Sequence, residues 1–206
     1  MPIHGGFEGW DITEKDPLRD SLIGTSRSDA TNYLQYTLNK ALDSVLDPEV
    51  VPANLLVMPG IRKPLITNRI ISTAENRKDV LSIIDLEDDY VPTAERLAGA
   101  TDKASLGSVA SAVTTLRARN LNSSYASAFY PWVQVSDSLN SNELVWIPPS
   151  VAALGAFGKS QAQSELWFAP AGFNRGGLGS LGGSRGPRVL QARQRLDSKE
   201  RDSLYE

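Results

Sequence analysis

Residues 79–86 read Asp79-Val80-Leu81-Ser82-Ile83-Ile84-Asp85-Leu86. The run is apolar, rich in β-branched side chains and too short for an ordinary helix, which predicts a buried strand. Just upstream, Leu65, Ile66, Ile70 and Ala74 recur on one face of a helix over 64–76. Before that helix, Asn54 to Met58 (NLLVM) is short and apolar and lies between Pro52 and Pro59-Gly60, so it reads as another buried strand. Downstream, 87–104 is a polar connection, and Leu106, Val109, Ala110, Val113 and Leu116 mark a further helix. Tyr125 to Val135 reads as one long strand and Leu144 to Ile147 as another. Pro148-Pro149-Ser150 suits a helix start, where proline forfeits no hydrogen bond, and Trp167-Phe168 reads as a last short strand. Strands alternating with helices of this length predict an α/β fold, a mixed, largely parallel sheet flanked by helices.

The two ends differ from this centre. Residues 1–27, rich in Gly, Pro and Asp, read as an extended N-terminal segment. Ser28 can cap a first helix carrying Ala30, Leu34, Leu38, Ala41 and Val45, which Asp47-Pro48 stops. The α/β domain so defined runs over 28–171. Residues 172–187 are a Gly-rich loop: seven of the fifteen residues 172–186 are glycine, a density that predicts mobility or threading past another surface. Residues 188–206 read as a C-terminal helical segment, because Asp197 and Glu200 have the spacing of a capping box.

Composition removes several classes of function. The formal net charge of the 206 residues is −3, with no basic stripe of the kind that holds nucleic acid. Arg185, Arg188, Arg193 and Arg195 lie close together, but Asp197, Glu200 and Asp202 follow at once, as on a solvated mixed-charge face. Without cysteine there is no disulfide, thiol nucleophile or zinc–thiolate site. No apolar run approaches the ~20 residues of a membrane-spanning helix, and Met1 to Gly6 has no signal-peptide pattern.

Three stretches invite an enzymatic reading, as a phosphoryl-transfer or nucleotide-binding α/β protein. Gly177-Leu178-Gly179-Ser180-Leu181-Gly182 fits G-x-G-x-x-G, but a dinucleotide site needs a strand before the glycines and a helix after them, and neither is read there. Gly158-Lys159-Ser160 ends like a phosphate-binding loop, yet Ala153 stands where the motif needs its first glycine, and the intervening residues continue a helix. Asp85-Leu86-Glu87-Asp88-Asp89 closes a strand where carboxylates can hold Mg²⁺, although acidic turns there are also common as solubilising loops. His4 is the only histidine, so any Ser-His-Asp arrangement would need it, and it reads as a surface residue. No catalytic, cofactor-binding or metal-binding residue is assigned.

Other segments carry a resemblance. Tyr130-Pro131-Trp132 makes an aromatic corner, Val145-Trp146-Ile147 leads into Pro148-Pro149-Ser150, and Trp167-Phe168 leads into Ala169-Pro170-Ala171-Gly172. Asn174-Arg175-Gly176-Gly177 follows, and Glu200-Arg201-Asp202-Ser203-Leu204-Tyr205-Glu206 closes the sequence. In this order and spacing, with Asn54 to Gly60, Arg77-Lys78-Asp79 and the opening Pro2 to Trp10, they resemble the tail-sheath proteins of contractile-tailed phages of the large myovirus type. The motifs also have plain structural readings: a packing corner, a helix start and a tight turn of small residues.

The resemblance implies a virion protein, not an enzyme, assembled in the host cytoplasm without cofactor, nucleic acid or membrane contact. Its partners would be other sheath subunits in a helical homo-oligomer, the tail tube protein, and the baseplate and tail terminator proteins. Family members look longer, which implies that these 206 residues are a fragment, expected to stay monomeric without the joining segments. A bland third reading is an α/β binding module with no assembly role.

Overall fold

Ile83 and Ile84 are both apolar yet point to opposite faces of the strand, so it is expected to be covered on both sides. The computed structural model, which describes residues 23–24, 33–87, 107–137, 141–179 and 188–205, places it so. Strand β2 (Leu81–Asp85) is the centre of a three-stranded parallel sheet, between β1 (Leu55–Val57) and β3 (Ala126–Phe129). The register pairs Leu56 with Ser82, and Ile84 with Ala128. Helix α1 (Tyr33–Ser44) packs on α2 (Pro64–Arg77), and α2 packs on β1 and β2. Ile23, Leu34, Leu42, Ile61, Ile66 and Ile70 form the core at this junction. Helix α3 (Val109–Ala118) follows, capped by the Ser108 side chain on the Ser111 N–H.

A second sheet is antiparallel, with β4 (Val133–Asp137) between β5 (Glu143–Ile147) and β6 (Arg188–Ala192). Val133 pairs with Ile147 on one side and Ala192 on the other. Helix α4 (Pro149–Gln163) begins where β5 ends, at the expected Pro-Pro-Ser. It joins the sheets: it packs on β2 and β3, Phe157 meets Phe129 edge-on at 6.2 Å, and Ala152 shares a cluster with Val133. A single helical turn, α5 (Gly172–Arg175), and the C-terminal α6 (Ser198–Tyr205) complete the described elements.

The α/β class holds, but among the described residues the parallel arrangement belongs to one sheet and the other is antiparallel. Tyr125–Val135 is not one strand. Pro131 follows a cis peptide and has no N–H to give a ladder, so β3 ends at Phe129 and β4 starts at Val133 in the other sheet. Strand β1 lies at a sheet edge and is only partly buried, with Leu55 at the surface, and Leu65 points away from the core face of α2. Trp167-Phe168 lies in a turn and pairs with no strand among the described residues. Gly172–Arg175 is helical where a loop was expected, and residues 188–192 are a strand where a helix was expected. Most of 1–27, with His4, lies outside the described residues, as do Ser28, Ala30, Asp88, Asp89, Arg185 and 180–187; within that N-terminal segment the Ile23-Gly24 turn is described, with Ile23 buried.

Candidate functional site

The best-defined polar site lies where the sheets meet. Asp85, at the C-terminal end of β2, is 1% exposed. Its Oδ1 accepts from the Ser150 N–H at 2.8 Å, and its Oδ2 accepts from the Ser150 hydroxyl at 2.8 Å and the Gly60 N–H at 3.0 Å. The turn after β1, the end of β2 and the first turn of α4 are thereby tied to one carboxylate. Burial pushes the Asp85 carboxyl above its ordinary range, and the three hydrogen bonds draw it back. A side chain so enclosed acts as a structural acceptor; its oxygens face donors of the protein itself. Glu87, two residues on, pairs with Lys63. Among the described residues no group of three His, Asp or Glu is placed to hold a metal ion.

The phosphate-loop candidate is helical throughout. Gly158, Lys159 and Ser160 lie inside α4, where backbone N–H groups are spent on the helix, and the Lys159 ammonium donates to the Gly177 carbonyl at 3.4 Å. The dinucleotide candidate is preceded by α5, not by a strand. Its described glycines, Gly177 and Gly179, sit at the surface, Gly177 partly covered and Gly179 open.

The resembling motifs fall on three kinds of position. Tyr130-Pro131-Trp132 is the crossing between the sheets: Trp132 is buried, its carbonyl accepts from the Arg193 N–H at 2.7 Å, and the Tyr130 hydroxyl donates to Gln194 at 3.4 Å. Pro148, Pro149 and Ser150 open α4 above Asp85. Arg77-Lys78-Asp79 ends α2. The Arg77 guanidinium, 2% exposed, donates to both oxygens of Asp79 and to the carbonyls of Val45 and Val51. This holds the Asp79 carboxyl below its usual range and staples the α1–β1 connection. Glu200 and Asp197 form the reciprocal capping box read from their spacing, with bonds of 2.7 and 3.0 Å. Arg201 donates to Ser198, Asp202 is exposed, and Tyr205 stands out from α6.

The third position is at the surface. After α4, Ala169-Pro170-Ala171-Gly172 turns the chain, with the Ala171 N–H on the Ala169 carbonyl at 2.8 Å and Gly172 at φ 73°. Trp167 stacks on Phe168 at 4.1 Å, and Arg175 lies over the Phe168 ring at 4.1 Å. Yet Leu166 and Trp167 are 79% and 76% exposed, and Phe173 is fully exposed. Asn174 is exposed beside it. Reading Trp167-Phe168 as a strand missed this platform, because apolar residues in a sequence carry no mark of whether they face a core or a partner. Gly176 packs the turn: a Cβ there would stand 2.9 Å from Ala171 Cα and 3.0 Å from the Pro170 carbonyl oxygen, whereas one on Gly179 would meet nothing. Gly176→Ala is expected to cost about 1–3 kcal/mol and Gly179→Ala almost nothing, read by urea titration and by protease nicking within 165–179.

A scan against protein families and a search of curated proteins found no match.

Proposed function

We propose that this chain is a structural subunit of a contractile tail sheath, which polymerises helically around the tail tube and contracts to drive the tube through the host envelope. The observation that carries this reading is the platform of Leu166, Trp167, Phe168, Phe173 and Arg175. It falls on the resembling segment itself and puts large apolar side chains in water. Monomeric proteins rarely expose such patches, and aromatic residues with arginine are what interface cores favour. The antiparallel sheet adds a second feature: among the described strands β5 and β6 are its outer ones, and an outer strand of this kind can take an added extended segment, although the Val189 N–H of β6 is already held by the Leu178 carbonyl.

In this reading the extended sheath is a metastable polymer. A baseplate signal lets subunits rotate into a shorter, wider lattice that buries more contact. Energy is stored at assembly, so neither cofactor nor nucleotide takes part. The partners are neighbouring sheath subunits, the tail tube, the baseplate and the terminator, within the virion.

Electron microscopy of the complete gene product tests the class. Tubes of uniform width are expected, and particles that stay dispersed at every concentration and ionic strength would sink the proposal. Calorimetry with Mg²⁺ and ATP, and with NAD, is expected to be flat. Micromolar binding abolished by Lys159→Ala or Gly179→Ala would favour a nucleotide enzyme instead.

A further inference from the structure

Residues 165–179 carry the aromatic platform, yet none of them is buried. Several of their hydrogen bonds close within the segment. The Phe168 N–H donates to the Glu165 carbonyl at 3.0 Å, Ala171 to Ala169 at 2.8 Å and Gly176 to Gly172 at 2.9 Å. The stack of Trp167 on Phe168, with Arg175 over it, adds order of the same local kind. Among the described residues two hydrogen bonds tie the segment to the rest of the chain. The Lys159 ammonium donates to the Gly177 carbonyl at 3.4 Å, and the Val189 N–H donates to the Leu178 carbonyl at 3.2 Å. Helix α5 also rests on α4. A region with no side chain in the core opens at a lower free energy than the fold as a whole.

The bond to Leu178 has a particular place. Val189 belongs to β6, which pairs with β4 on its other side, and the Arg193 N–H on the Trp132 carbonyl at 2.7 Å closes the end of that pairing. The Val189 N–H is spent outside the β4 ladder, at the outer edge of β6, where an added strand would take its hydrogen bonds. We infer that 165–179 is a releasable strap. Closed, it masks the outer edge of β6 with the Leu178 carbonyl; lifted, it frees that edge for an extended segment of a neighbouring subunit. The choice of a neighbouring subunit as the incoming chain rests on the sheath reading. Folded proteins cover strand edges with loops to prevent unwanted pairing. A cover held by two hydrogen bonds and no buried side chain is one that a better-bonded strand can displace. Such a strap keeps free subunits from pairing until a neighbour replaces it.

Hydrogen exchange on the 206-residue chain, read amide by amide by NMR, tests the strap without any assembly. The Val189 N–H is expected to exchange on the order of a hundredfold faster than two references. One is the Arg193 N–H, which holds β6 to the β4 side; the other is the Ser82 N–H, bonded to the Tyr125 carbonyl at 2.9 Å in the parallel sheet. Lys159→Ala is expected to speed Val189 several-fold further and leave both references unchanged, with Lys159→Arg close to the parent. Val189 exchanging as slowly as Ser82 would mean that the strap opens only with the whole fold, and would overturn the proposal. Val189 and Arg193 exchanging together would assign the motion to β6 itself, with the same result. Tube formation by the complete gene product separates this proposal from the sheath reading. Lys159→Ala is expected to shorten the lag before tubes appear. An unchanged lag beside faster Val189 exchange overturns the strap as a check on assembly and leaves the sheath reading standing. If neither protein forms tubes the sheath reading falls, and the three amides alone decide whether the strap opens.

Discussion

Asp85→Ala is expected to cost about 3–5 kcal/mol of stability, because it strips buried donors of their acceptor. Its carboxylate is 1% exposed and takes three protein donors, the Gly60 N–H, the Ser150 N–H and the Ser150 hydroxyl. Truncation leaves all three facing a small cavity. A buried donor without a partner costs about 1–3 kcal/mol, and the total falls short of the sum because the Ser150 hydroxyl can rotate to another acceptor. Asp85→Asn keeps the shape but turns an amide NH₂ toward groups that are themselves donors. It is expected to cost less, about 1–2 kcal/mol, because the hydroxyl can accept from it. Urea titration of the two variants checks the order. If Asp85→Ala proves as stable as the parent, the carboxylate is not what joins the β1 turn to α4.

Much of the fold is legible in the sequence because it is local. The strand at 81–85 and the helix at 64–77 show in their apolar periodicity, and the α4 start shows in Pro148 and Pro149. The capping box at Asp197 and Glu200 is legible for the same reason, since all of its atoms lie within one turn. What is hidden is non-local. The aromatic stretch from Tyr125 to Val135 has unbroken strand character, and only the lack of an N–H at Pro131 marks where the chain changes sheets. Strand β6, Arg188-Val189-Leu190-Gln191-Ala192, is short and does not alternate polar with apolar residues; it exists because β4 offers it an edge.

The candidate site divides along the same line. That Lys159 and Ser160 sit in a helix follows from the apolar residues before them, so the sequence alone already speaks against a phosphate cradle there. The role of Asp85 is different. An acidic residue at the C-terminal end of a strand suits a cation as well as a structural junction. The choice depends on Gly60 and Ser150, which lie 25 and 65 positions away in sequence. Arg77 is equally opaque, since two of its partners are backbone carbonyls, which no side-chain pattern announces.

Trp132→Ala is expected to cost about 3–5 kcal/mol, the range for truncating a buried aromatic. The indole is 6% exposed and sits one residue before β4, where the chain has just left the parallel sheet. The carbonyl of the same residue holds the Arg193 N–H at 2.7 Å, so the side chain fixes a segment that also anchors the end of β6. Total stability of a domain is about 5–15 kcal/mol, so this one truncation would remove a large part of it. Trp167→Ala is the matched control. It deletes the same side chain from a site 76% exposed and is expected to change stability by no more than about 0.5 kcal/mol. In urea titrations followed by circular dichroism, the midpoint should fall for Trp132→Ala at unchanged slope and stay in place for Trp167→Ala. Equal shifts would mean that Trp167 is held in the fold of the isolated chain, and its exposure could no longer support a contact with a second subunit. The expected asymmetry would instead separate a tryptophan that holds the two sheets together from one left at the surface for a neighbour.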